Sequence, residues 1–105
     1  MIDNDIRILL EAPAAGEGAP TLAHIEDALT AGYGRAMALE AEHRRLERRI
    51  ADLAAKLTGD EADLRSRSPE LRRLGRKLAA TDADLARLRG LLESLRVRAA
   101  VVRAA

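Results

Sequence analysis

The residues best placed to do chemistry are Glu40 and His43, in the run Glu40-Ala41-Glu42-His43. On an α-helix, side chains three positions apart share a face, so this carboxylate and imidazole could hold one metal ion between them. Asp82 and Asp84 are further candidate ligands from the second half of the chain. The competing reading is structural: His43 interrupts an apolar row and sets the register of a helix pair, steadied by Glu40 or Glu47. Three Arg pairs, Arg44-Arg45, Arg48-Arg49 and Arg72-Arg73, have the chemistry to grip phosphates. Acids interleave the first two pairs, and the single aromatic residue, Tyr33, offers little for base stacking. Salt-laced solvated faces are therefore expected, and nucleic acid is not the expected partner. His24 reads as a surface residue near a helix start. No Gly-rich phosphate loop, Ser-His-Asp set or paired-carboxylate cleft is apparent. The expectation is a protein that is not an enzyme and carries no cofactor.

The Glu-x-x-His step resembles the ligand motif of carboxylate-bridged di-iron bundles, and that resemblance implies a symmetric dimer supplying the remaining ligands. Such bundles also need Glu residues on facing helices, and the second half of this chain has only Glu70 and Glu93. A second comparison concerns hairpin anti-sigma factors that bind cyclic-di-GMP through a Glu-x3-Ser-x2-Arg-x3-Gln-x3-Asp signature. The frame Asp82, Ala86, Arg89, Glu93, Val97 shares only its Arg with that signature, so the family is not assigned.

Two long helices must position these residues. Steps of three and four from Leu22 give Leu22, Ile25, Leu29, Gly32, Ala36, Leu39, His43, Leu46, Ile50, Leu53 and Leu57. Only Gly32 and His43 break this apolar row, and its mean spacing of about 3.5 is that of a coiled-coil seam. A second seam runs Leu71, Leu74, Leu78, Thr81, Leu85, Leu88, Leu92, Leu95, Ala99, Val102. The first helix is expected over about 22–57, with Thr21 as N-cap and Gly59 beyond its end. Ser68-Pro69-Glu70 reads as the start of a second helix over about 69–103, after a turn at 58–68. Each helix has about 35 residues, or about 52 Å. The expected fold is all-α: an antiparallel two-helix coiled-coil hairpin over 21–105, dimerising into a four-helix bundle.

Two registers compete for that hairpin. The preferred one sets His43 opposite Thr81, Leu46 opposite Leu78 and Leu22 near Val102. The alternative pairs Arg49 with Glu70, Glu42 with Lys77 and Arg35 with Asp84. It matches charge better but puts Pro69 inside a helix, at a cost of about 3 kcal/mol.

Ahead of the hairpin, residues 1–12 read as a short docking segment. Ile2, Ile6, Leu9 and Leu10 fall at helical spacing, although the Ile-Arg-Ile-Leu-Leu run also suits a strand. Asp3 or Asn4 is the candidate cap. Residues 13–20 hold two Pro and two Gly and read as a linker. Gly32 and Gly34 flank Tyr33 and cost about 1 kcal/mol each in a helix interior. A kink or a close helix crossing is the expected reason for them, with a hinge or a notch for a partner as the alternative.

Composition sets the outer bounds. The chain has 105 residues, no Cys and one aromatic. That allows one domain with thin apolar seams and no disulfide or thiolate site. The cations are nearly all Arg, which points to a GC-rich bacterial genome. With no signal peptide or apolar span apparent, the expected location is the cytoplasm, away from membranes. The net charge of +1 hides an asymmetry: residues 1–64 carry 7 basic and 13 acidic residues, and residues 65–105 carry 11 and 4. The halves are expected to attract each other.

A lone hairpin buries one seam and would be marginally stable. Met37, Leu91, Val97 and Val101 lie off the seam and suggest a second apolar face. The function expected is a non-enzymatic protein–protein interaction module: an adaptor, a secretion-type chaperone or a regulator-sequestering protein. Its partner is expected to be a second copy or another helical protein, met through Ile6, Leu9, Leu10, Tyr33, Leu91, Val97 and Val101. The alternatives are a metal-binding bundle using Glu40 and His43, or a weak phosphate binder through the Arg clusters.

Overall fold

A computed structural model describes every residue except Thr58. The described residues form three α-helices and no strand: α1 (Ile2–Glu11), α2 (Leu22–Ala55) and α3 (Glu61–Ala104).

α1 is a helix despite its strand-compatible sequence. Its N-cap is Met1, without a side-chain bond, so neither Asp3 nor Asn4 caps it. Asp3 and Asp5 instead lie in the first turn, where carboxylates favour the positive end of the helix dipole. The connection to α2 turns at Gly16 and Gly18, both at positive φ. Thr21 caps α2 as expected, its hydroxyl accepting from the His24 N–H at 3.2 Å. α2 ends at Ala55, and the next two residues tighten: the Lys56 and Leu57 N–H groups donate to the Leu53 and Ala54 carbonyls. The part of the expected turn that falls on Thr58 lies outside the described residues.

α3 corrects an expectation. It begins at Glu61 rather than at Pro69, so Pro69 lies inside the helix. The start is set by Asp60. Its side chain accepts from the Ala62 N–H at 3.1 Å, and its carbonyl from the Leu64 N–H at 2.9 Å. Two ion pairs one turn apart, Arg65–Glu61 and Arg67–Asp63, both at 2.6 Å, then knit the turns ahead of Pro69.

The helices divide into two compact units, each with its own packing. Unit 1 comprises 1–38 and 86–105, and unit 2 comprises 39–85. Unit 1 contains three helical pieces. Its core is Ile6, Ile25, Leu29, Ala36, Leu88, Leu92, Leu95 and Ala99, all buried, and four of these have essentially no exposure. Fully burying a side chain of this size contributes about 1.5–3 kcal/mol. Gly32 admits α1: a Cβ there would collide with the tip of Leu92 and press on Ile6 at 3.3 Å. Arg98 then holds the end of α1, donating to the Leu10 carbonyl and, at 3.1 Å, to the Ala12 carbonyl. Arg87 reaches Asp3 at 3.4 Å.

Unit 2 has two helical pieces. Leu39, Leu46, Leu74, Thr81 and Leu85 are buried, and the Thr81 hydroxyl donates to the Lys77 carbonyl at 2.9 Å. Ile50, Leu53, Leu57, Leu71 and Leu78, from the same seams, are only half-buried. Across the unit, His43 meets Asp82 and Arg49 meets Glu70. The Arg49–Glu70 pair therefore forms even though it belonged to the less favoured register, and Pro69 is accommodated within α3. His43 lands one residue from Thr81, close to the other register. The long Arg49 side chain lets both contacts coexist.

Candidate interaction surfaces

His43 is placed by the seam of α2, one residue type that the apolar row does not exclude. Its ring is one-quarter exposed, and each nitrogen has a carboxylate: Nδ1 lies 2.8 Å from Glu47 and Nε2 lies 2.6 Å from Asp82. Both ring nitrogens are thus occupied by carboxylate contacts within the chain. Among the described residues, no group of three or more His, Asp or Glu side chains is arranged to hold a metal ion. The geometry is that of a polar crosslink between α2 and α3. Sequence spacing pointed to Glu40 or Glu47 as the partner of His43 and to Asp82 as a candidate metal ligand.

The nearby Arg49–Glu70–Arg73 group is a second crosslink. The Glu70 carboxylate accepts from Arg49 at 2.9 Å and from Arg73 at 3.4 Å. The Arg49 hydrogen bond, reinforced by the charges of Arg49 and Arg73, holds the Glu70 carboxyl below its ordinary range.

The residues expected to meet a partner are dispersed. Ile6 is fully buried in the core of unit 1, so its docking site is in its own chain. Leu9, Leu10 and Leu91 are half-buried. Tyr33, Val97 and Val101 remain exposed, at 43%, 57% and 57%, as do Met37 and Ile8. Tyr33 and Val97 share a groove of about 460 Å³ with Leu29, Arg96, Ala100 and Arg103. That groove is ringed by charge, with Arg96 on Glu93 at 3.0 Å and Arg103 on Glu26 at 3.1 Å.

Unit 2 leaves its seam half-covered. Besides the half-buried seam residues, Leu64 is 38% exposed, beside a groove formed with Ser68, Pro69 and Arg72. The helical positions adjoining Ile50, Leu71 and Leu78 are Ala51, Ala54, Gly75 and Ala79, all exposed. A Cβ built on Gly75 would meet nothing within 4 Å. Elsewhere on unit 2, Arg45, Arg48, Arg49, Asp52, Leu53 and Lys56 line a cavity of about 310 Å³.

The role of Arg98 was missed from sequence. Arg98, near the C-terminal end of α3, donates to carbonyls at the end of α1. No helix among the described residues is long and apolar enough to cross a membrane. No protein-family model, no curated protein and no solved structure matches the chain.

Proposed function

We propose that this chain is a non-enzymatic interaction module whose unit 2 is an antiparallel helical hairpin that pairs with a second copy to form a four-helix bundle. The observation that carries this reading is the half-exposed seam of unit 2. Ile50, Leu57, Leu71 and Leu78 stay partly in water, whereas Ile25, Leu29, Leu88 and Leu95 of the same seams in unit 1 are buried. Two helices cover only one face of each other, so a stable core needs a further layer.

A second copy fits this face better than a charged partner. Ala51, Ala54, Gly75 and Ala79 are uncharged and small. They permit close helix approach, and a like surface meets no like-charge penalty at the centre. Two-fold symmetry makes any such self-complementary patch count twice.

Sedimentation equilibrium on the full chain tests the proposal. A dimer is expected, with a melting temperature that rises with protein concentration. Gly75→Glu replaces a poor helix former with a better one, so helicity should survive. The added side chain should nevertheless convert the dimer to a monomer. A monomer at every concentration, or a dimer indifferent to Gly75→Glu, would overturn the reading.

A further inference from the structure

We infer that the cationic flank of unit 2 binds the phosphate backbone of double-helical nucleic acid. The inference rests on where the acids go. In sequence, Glu47 sits between Arg44-Arg45 and Arg48-Arg49 and partly offsets that run. In the fold, Glu47 turns to His43, at 2.8 Å from its ring. Glu61 and Asp63 are taken up by Arg65 and Arg67 of their own helix. The acid between the first two Arg pairs therefore faces the crosslink between α2 and α3.

What remains on one side of α2 is a cavity lined by Arg45, Arg48, Arg49 and Lys56, with Asp52 as its only acid. Arg49 is held by Glu70, the carboxylate it shares with Arg73, which puts Arg73 on the same side. Arg45, Arg48 and Lys56 have no ion-pair partner among the described residues, nor do Arg76 and Lys77 farther along α3. The α2 cations extend over roughly 16 Å of helix at 1.5 Å per residue. A duplex presents one charge per about 1.7 Å of axis, so several phosphates lie within that length. Arg forks match phosphate oxygens in geometry as well as charge.

The same surroundings select the class of polyanion. The cavity has no aromatic residue, and binding to unpaired strands relies on base stacking. Its one apolar member, Leu53, is half-buried, so no side chain is available to enter a lipid layer. Backbone contact to a duplex needs neither. Such binding is insensitive to sequence and strongly dependent on salt.

The test is an anisotropy titration of a labelled mixed-sequence 20-base-pair DNA duplex with the full chain. With roughly five phosphates contacted, affinity should fall about 500-fold between 50 and 200 mM salt. Arg45→Gln/Arg48→Gln/Lys56→Gln should weaken binding at least about tenfold at 50 mM salt and flatten the salt slope by about 2.7. A variant with the same charge loss in unit 1, Arg7→Gln/Arg35→Gln/Arg96→Gln, should stay near the parent. Circular dichroism on both variants separates binding from folding. Equal losses from the two variants would reduce the effect to net charge and overturn the site. So would no binding at 50 mM salt, or tighter binding to phosphatidylserine-containing vesicles or to poly-glutamate than to the duplex.

Discussion

Unit 1 and unit 2 are built from the same two helices, yet they solve the burial problem differently. Unit 1 gains a third helix, and its core residues Ile6, Ile25, Leu88 and Leu95 reach essentially zero exposure. Unit 2 has no third helix, and Ile50, Leu53, Leu71 and Leu78 remain half-exposed. In place of apolar closure it has polar crosslinks: His43 between Glu47 and Asp82, and Glu70 between Arg49 and Arg73. The comparison teaches that a 3.5-residue seam is enough to align two helices and not enough to dry them. Exposed ion pairs return about 0.2–1 kcal/mol each, less than one well-buried Leu. Unit 1 is therefore expected to be the more stable region, and unit 2 the one whose seam stays half-covered.

The largest break in that comparison should come from paired truncations. Ile6→Ala removes a fully buried side chain and is expected to cost about 3–4 kcal/mol. Ile50→Ala, at a half-buried position, should cost about 1 kcal/mol in dilute protein. Denaturant titration followed by circular dichroism reads both. Equal costs would mean that unit 2 is as well packed as unit 1. An Ile50→Ala cost that grows with protein concentration would locate Ile50 in the interface between copies.

A smaller and more discriminating contrast lies within unit 1. Gly34 faces open space, so Gly34→Ala should stabilise the protein by up to about 1 kcal/mol through helix propensity alone. Gly32→Ala offers the same propensity gain, but its Cβ must displace Leu92 and press on Ile6 in a filled core. Overpacking of that kind costs about 1–3 kcal/mol, so the net effect should be destabilising. Melting temperatures that move in opposite directions would establish Gly32 as the seat of α1. A rise for both would mean that α1 yields its place without cost.

The sequence showed the seams clearly because Leu and Ile recur at a period that few other structures tolerate. Ile25, Leu29, Leu46, Leu74, Leu88 and Leu95 are all buried where that period puts them. The helix start at Glu61 was harder to see. Ser68-Pro69-Glu70 is a strong local signal, but Asp60 offers a cap upstream, and the Glu61–Arg65 and Asp63–Arg67 pairs knit the turns ahead of Pro69. The seat of α1 was not legible at all. Gly32 announced a close approach, but the approaching residues are Ile6 and Leu92, far away in the chain. The sidedness of charge was hidden for the same reason. Glu47 neighbours four Arg residues in sequence and serves a His in space.

The smallest effect concerns the crosslink that stands in for a third helix. The Arg49 hydrogen bond and the Arg49 and Arg73 charges favour the ionised form of Glu70, so its carboxyl titrates lower in the folded chain than in the unfolded one. The unfolded state then binds the proton more readily, and stability rises with pH through that interval. The contribution of Glu70 is complete above the ordinary carboxylate range and is lost as pH falls through the lowered folded value. Glu70→Gln should therefore reduce the denaturation midpoint slightly at pH 7, and the difference should close as pH falls through the lowered folded value, where Glu70 itself becomes neutral. Moderate salt should shrink the difference at pH 7, since the group lies at the surface. A gap between Glu70→Gln and the parent that persists unchanged down the whole acid range would assign the role of Glu70 to packing instead of charge. In that case polar crosslinks would not explain how unit 2 holds together without a third helix.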